Sequence, residues 1–368
     1  MTTSRTSYVY VGLAGETAPG RPVKSGLYRM AAGDHRWELV TRGLPEAPTI
    51  RAIATHPEHA ETVYVGTQLG PYRSSDHGEH WERLNISDHG LPVWSLLFDP
   101  RDAKVLYAGY DNCEIYRSED GGEHWQQLPV TVRFPEVTVG PGANPAKRVL
   151  DLAANPANPN EIYGAIEVGG IIRSLDGGEH WENMSHGQYL NDDTVDMHGV
   201  LVGRWRPGMV FAIGRAGLFS STDQGAHWAS ARLDPLNPRG QTYCRDIREV
   251  PGDPKTIWIA AGASFQSDVG VLFRSTDGGL NWARVDMGVK PQSTISPLPL
   301  TSGVPSVCTV RPPAVRYSPV RMAARAGPSV TCLRAPRRFT PWGMPDGYWL
   351  VLSPRRHALL VSAEMQPG

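Results

Sequence analysis

The chain of 368 residues carries 36 Lys plus Arg against 37 Asp plus Glu, so no net field draws it to nucleic acid or to an anionic membrane. With 39 Gly, 32 Pro and 11 Trp, and no long stretch with apolar residues at helical spacing, it is composed for turns and strands, which points to an all-β class. Cys113, Cys244, Cys308 and Cys332 form no CxxC pair and no cluster, so neither a structural zinc, nor a disulfide framework, nor a cofactor is expected.

The first residues, "MTTSRTSYVYVGLAGETAPG", lack an apolar core of signal-peptide length, and no uncharged run approaches membrane-spanning length. They predict a cytoplasmic chain without a membrane partner. "GLYRMAAGDHRWELV", which reaches Trp37, then reads as a hairpin whose turn motif has been lost. From there an octapeptide recurs as "SSDHGEHW", "SEDGGEHW", "SLDGGEHW", "STDQGAHW" and "STDGGLNW". Its tryptophans, Trp81, Trp125, Trp181, Trp228 and Trp282, are spaced by 44, 56, 47 and 54 residues, the period of propeller blades or solenoid repeats.

Each box is Ser-x-Asp-x-Gly-x-x-Trp. Its structural residues are Ser74, Asp76, Gly78 and Trp81, then Ser118, Asp120, Gly122 and Trp125, then Ser174, Asp176, Gly178 and Trp181. The last two boxes supply Ser221, Asp223, Gly225 and Trp228, and Ser275, Asp277, Gly279 and Trp282. The Asp is suited to accept hydrogen bonds from turn N–H groups, the Gly to supply backbone angles other residues resist, and the Trp to cover the hairpin. Five equivalent carboxylates on five hairpins are too far apart to act on one bond, so the box is structural. His80, His124, His180 and His227 recur with it, one per repeat, and form no metal site. An Arg usually precedes the box, and "IRAIATHPEHAETVYVG", "VWSLLFDPRDAKVLYAG", "VLDLAANPANPNEIYGA" and "DIREVPGDPKTIWIAAG" add strand, Pro-containing turn and strand before it. That makes four strands per repeat, one propeller blade.

On these five boxes the chain resembles the BNR or Asp-box β-propellers, over roughly residues 7 to 293. That family includes sialidases, oligoxyloglucan hydrolases, sortilin-type receptors and photosystem II assembly propellers. The resemblance implies a propeller of four-stranded blades in which the box is a peripheral turn shared by enzymes and non-enzymes.

Residues 1–293 thus read as six blades of a propeller of seven. Residues 294–346 read as the seventh blade out of frame, expected to be disordered, and 347–368 as a non-native tail. Rebuilding each codon from the third base of one residue and the first two of the next lets Pro319/Val320 to Ala326/Gly327 encode Ser-Ser-Asp-Gly-Gly-Ala-Ser-Trp. The rebuilt Trp falls 45 residues after Trp282. A base lost at Ile295 lets the strand read Met-Phe-Ala-Leu-Ala-Ile-Asp, in the style of "VWSLLFDP".

Propellers bind ligands at the mouth of the central channel. The strand-Pro-strand pattern places Arg51, Trp94, Asp151, Arg245 and Asp246 near the starts of inner strands, with Asp196 and His198 just before the corresponding strand of the fifth blade. Arg51, Trp94, Arg245 and Asp246 are binding candidates for a small molecule, a glycan or a protein. The reading is a non-catalytic binding or scaffold module, and its alternative is a glycoside hydrolase using Asp151 and Asp196 as acid and base, with His198 beside them. The sialidase branch is disfavoured, because the chain has no Arg-Ile-Pro segment and suggests seven blades where sialidases have six. Sequencing the encoding DNA from the Lys290 codon onward is expected to reveal a missing base near Ile295; codon bases that rule out the rebuilt box would remove the seventh blade.

Overall fold

The computed structural model describes residues 8–15, 25–31, 34, 36–86, 90–134, 147–185, 192–264, 267–285, 291 and 294–295, and the strands within 306–310, 348–352 and 362–365. Among these residues the only helices are three-residue turns, Asp111–Cys113 and Asp192–Thr194. All else that is regular is strand.

The first blade holds β1 (Tyr8–Gly15), β2 (Ser25–Ala31) and β3 (Glu38–Leu39). The second holds β4 (Ala52–Thr55), β5 (Val63–Thr67), β6 (Gly70–Ser74) and β7 (Glu82–Arg83), and the third β8 (Val93–Phe98), β9 (Leu106–Tyr110), β10 (Ile115–Ser118) and β11 (Gln126–Gln127). The fourth holds β12 (Val149–Asn155), β13 (Asn158–Ile166), β14 (Gly170–Ser174) and β15 (Glu182–Asn183). The fifth holds β16 (Met197–Val202), β17 (Val210–Gly214), β18 (Gly217–Ser221) and β19 (Ala229–Ala231), and the sixth β20 (Tyr243–Val250), β21 (Asp253–Gly262), β22 (Gly270–Ser275) and β23 (Ala283–Arg284). Three further strands follow: β24 (Ser306–Val310), β25 (Tyr348–Leu352) and β26 (Ser362–Met365).

Blades two to six are antiparallel meanders of four consecutive strands. The first blade gains its fourth strand from β26, which runs parallel to β1, whereas β24 pairs with β25 apart from the blades. The fold is therefore a six-bladed propeller of four-stranded blades, and a seventh blade is not present among the described residues. Most of the segment read as that blade lies outside the described residues, as does all of the rebuilt box.

Neighbouring blades meet chiefly through β4, β8, β12, β16 and β20, which run side by side around the axis. The second strands are buried on both faces because each blade is packed between two others, as along Val63–Thr67 and Val210–Gly214. Between the fifth and sixth blades Phe211, Ile213, Ile247, Ile259 and Phe273 form one such core layer.

The box is a small hydrogen-bonded cage. In the second blade Ser74 Oγ accepts from the Gly78 amide at 2.8 Å, and Asp76 Oδ1 accepts from the Ser74 hydroxyl at 2.8 Å and the His80 amide at 2.9 Å. The other boxes repeat it, with Asn281 standing in the last where the others have His. The amide and imidazole four residues on hold Asp176 and Asp223 down to about 2. Burial would lift Asp76, but the His80 contacts outweigh it and bring it to about 2. These folded values lie below the unfolded one of about 3.9, so the stability they add is complete above that pH and is lost as pH falls through the folded values.

The fifth and preceding turn positions are both left-handed, as at His77 (φ 60) with Gly78 (φ 91) and Gln224 (φ 60) with Gly225 (φ 86). This geometry turns the carbonyl of the first of the two toward the blade before it. Tyr10 Oη and Arg29 Nη1 each donate to the His77 carbonyl at 2.8 Å. Tyr64 Oη at 2.8 Å and Arg73 Nη1 at 3.1 Å donate to that of Gly121. Arg117 Nη1 donates to Gly177 at 3.1 Å, and Tyr163 Oη and Arg173 Nη1 reach Gln224 at 3.2 and 2.8 Å. Arg29, Arg73, Arg117 and Arg173 thus serve the box of the next blade, and the octapeptide is a seam between blades as well as a hairpin turn.

A Cβ on Gly178 (φ +102) would lie 2.5 Å from Leu128 of the preceding blade, whereas one on Gly240 (φ +75) would meet nothing within 4 Å. Gly178→Ala is expected to lower stability by about 2–4 kcal/mol in urea unfolding, against about 1 kcal/mol for Gly240→Ala.

Candidate functional site: the channel mouth

The inner strands share an irregularity. Register skips one residue between Val93 and Ser95, Val149 and Asp151, Met197 and Gly199, and Cys244 and Asp246. The residue left unpaired is Trp94, Leu150, His198 or Arg245 in turn. In the second blade Ala52 pairs with Gly66, and the Arg51 amide also bonds to the Gly66 carbonyl, which puts Arg51 in the same place. A bulge re-aims its side chain and bends the strand, as strands do beside binding sites. Four residues singled out in the sequence, Arg51, Trp94, His198 and Arg245, therefore occupy equivalent positions around one end of the channel. Asp151 and Asp246 each stand one residue further on. His198 lies within β16 rather than ahead of it.

Trp94 gathers cations. The Arg51 and Arg148 guanidinium groups lie 4.0 and 4.7 Å from its ring centroid, and its indole N–H donates to Asp111 Oδ1 at 2.6 Å. Arg148 also pairs with Glu167 at 2.8 Å and approaches Asp111 at 3.5 Å. Two guanidiniums stacked on a largely buried indole, with Asp111 and Glu167 beside them, make a charge-balanced cluster spanning the second to fourth blades.

Across the channel Arg248 bridges two carboxylates, Asp151 at 3.3 Å and Asp246 at 3.0 Å. Asp151 also accepts from the amides of Val200 at 3.2 Å and Leu152 at 3.1 Å. Gly199 of β16 lies beside this pair: a Cβ there would stand 3.4 Å from Asp151 Oδ2 and 3.2 Å from Ile213. Burial pushes the Asp151 carboxyl up, against the pull of Arg248 and the two amides.

A third group surrounds Asp196. His198 Nδ1 donates to the Cys244 carbonyl at 2.6 Å, which leaves Nε2 facing Asp196 Oδ1 at 3.5 Å. That contact attracts only when Nε2 also carries a proton. Burial would lift Asp196, but His198, Arg215 and Arg245 together hold its carboxyl below the ordinary value. Tyr243 packs on the His198 ring at 4.8 Å. The long lead-in before β20 is pinned, with Asn237 bonded to Ala263 at 3.2 Å and Arg239 to Asp193 at 3.4 Å.

Asp151 pairs with Arg248 whereas Asp196 faces His198, so the two carboxylates belong to separate groups. Sequence reasoning missed Arg148, Asp111, Arg248 and Gly199. The available signal was position: Arg148 immediately precedes an inner strand, and Arg248 follows Asp246 by two residues on the same face. Among the described residues no group of His, Cys, Asp and Glu is arranged to hold a metal ion.

No protein-family model matches the chain. Xyloglucanase Xgh74A of Acetivibrio thermocellus is 31% identical over 177 residues, covering 37% of this chain and 20% of that protein. A probable oligoxyloglucan-reducing end-specific xyloglucanase of Neosartorya fischeri is 24% identical over 249 residues, covering 63% of this chain and 30% of its own length. The solved GH74 xyloglucanase of Xanthomonas campestris superposes with a TM-score of 0.53 at 20% identity, covering 71% of this chain and 42% of that one. The chain thus spans well under half the length of these proteins. What the likeness shows is the fold, a β-propeller of the kind its repeats resemble.

Replacing Arg248 by Met removes the cation that two buried carboxylates share. Arg248→Met is expected to cost about 2–3 kcal/mol at neutral pH. The loss should shrink toward pH 4, because burial favours the protonated form of Asp151 and stability is then recovered as pH falls. Urea midpoints of wild type and variant from pH 4 to 8 test this; a loss independent of pH would show that Asp151 does not titrate in the folded variant.

Proposed function

We propose that the chain is a non-catalytic binding module whose ligand, a glycan of the xyloglucan type, sits at the channel mouth among Arg51, Trp94, His198 and Arg245. The observation that carries this reading is the shared bulge, which brings large polar side chains from successive blades to one end of the axis. The relatives are xyloglucanases, which supplies the ligand class. Asp151 and Asp246 are occupied by Arg248, which suits a fixed wall better than an acid–base pair. In this reading the ring that presents the mouth is completed by a seventh blade.

A second reading has one observation in its favour. Environments that push two carboxyls in opposite directions mark acid and base in glycosidases, and here Asp151 is raised while Asp196 is lowered. Calorimetric titration with a xyloglucan oligosaccharide, run beside a reducing-sugar assay, separates the two. The binding reading expects saturable binding, weakened at least about tenfold in Arg51→Ala or Arg245→Ala, and no new reducing ends. Turnover that disappears in Asp151→Asn or Asp196→Asn would overturn it in favour of hydrolysis.

A further inference from the structure

Superposing the blades by register makes Tyr10, Tyr64, Tyr107, Tyr163, Phe211 and Trp258 equivalent, since they pair with Arg29, Arg73, Arg117, Arg173, Ser220 and Arg274 respectively. In the first, second and fourth blades both members of this couple donate to the left-handed carbonyl of the following box, and in the third Arg117 does. In the fifth the seam is apolar: Phe211 lies where a Cβ on Gly279 would come within 2.2 Å. In the sixth the couple is present and holds no carbonyl among the described residues. Trp258 is 3% exposed, yet its indole N–H has no acceptor among the described residues. Arg274 is exposed with its guanidinium 5.6 Å from the Trp258 ring. A buried donor without an acceptor costs free energy unless something fills the position.

The chain also begins a next blade. The Ile50 amide bonds to the Leu13 carbonyl as the second blade's inner strand starts, and the Ile295 amide makes the equivalent contact with the Ala261 carbonyl at 3.4 Å. Ile295 is fully buried in the cluster that contains Trp258. It therefore stands where Ile50, Val93, Val149, Met197 and Cys244 stand. The next residues in the sequence are Ser296 and Pro297. Pro297 and Pro299 lack the N–H groups an inner strand donates. At the far side of the ring the first blade's inner place is taken by β26, parallel to β1, although every other inner strand is antiparallel to its neighbour.

We propose that the outer face of the sixth blade, centred on Trp258 and Arg274, is the docking socket for the Ser-x-Asp-x-Gly-x-x-Trp hairpin of a seventh blade, whose left-handed turn carbonyl accepts the Trp258 indole N–H and an Arg274 N–H. The inference rests on the seven-blade reading of the ring and adds the contact that would hold the missing blade. The register of Ile295 agrees with a base lost in its codon, because the blade pattern holds up to that residue and fails from the next.

The test grafts the chain's own parts onto this face. Residues 296–368 are replaced by a copy of 51–98, which follows Ile295 as it naturally follows Ile50 and carries a complete blade plus one further inner strand for the first blade. A second graft copies 94–155 in the same register, in case the first misfolds. The expected result is a higher urea midpoint than the 368-residue chain, with exchange of the Trp258 indole N–H, assigned by Trp258→Phe, slowed at least about tenfold. Arg274→Ala should lower the midpoint of the graft and leave that of the 368-residue chain unchanged. A stabilised graft indifferent to Trp258→Phe and Arg274→Ala would overturn the socket while leaving seven blades standing. If neither graft gains stability, both fall. Slow Trp258 exchange that appears in the ungrafted chain as its concentration rises would give the face to a second copy and overturn the assignment.

Discussion

The fold depends on one contact, the hydrogen bond from a Tyr or Arg of one blade to a left-handed carbonyl in the box of the next. In a repeat protein each unit touches only its neighbours, so the seams carry the coupling between units. In the seams that follow the first four blades, side-chain donors of one blade meet a carbonyl that ordinary backbone angles do not present, and between the fifth and sixth the Phe211 ring packs against Gly279 instead. The Ser and Asp of the box stabilise that conformation from within, and the Gly permits it. Ion pairs add at the rim, as between Arg29 and Glu79 at 2.5 Å and Arg73 and Glu123 at 2.7 Å, but their carboxylates are exposed and each contributes little.

This division of labour places structure at the rim and variety at the axis. The box must match its neighbour and hence repeats. The inner-strand bulge meets the channel instead, and it carries Arg51, Trp94, Leu150, His198 and Arg245 in successive blades. The charges gathered there are organised before any ligand arrives: Trp94 aligns two guanidiniums, Arg248 spans three blades to reach Asp151, and His198 is oriented by the Cys244 carbonyl. Preorganised side chains lose less entropy on binding.

The same constraint explains the unfinished appearance of the sixth blade. Its Trp258 and Arg274 stand at the donor positions of a seam and meet no carbonyl among the described residues, and Ile295 stands where the inner strands of other blades begin. A ring with one seam open exposes a blade face and strand edges, which are routes to aggregation.

Much of this was written in the sequence. The box, its period and the strand-Pro-strand lead-in fix the blade, because each depends on residues close together in the chain: Ser74 caps its own turn, and Gly78 adopts the angle its own turn needs. Arg51, Trp94, His198 and Arg245 were found by the same alignment, since equivalent positions in repeats land on equivalent places in a ring. What only the tertiary structure decided lies between blades. That Arg73 serves the box at Gly121 rather than its own, and that Arg248 reaches Asp151, are contacts across 48 and 97 residues of chain, and the same packing puts Asp151 and Asp196 in separate groups. Local chemistry specifies a turn, but which carboxylate an arginine meets depends on where packing brings the next blade.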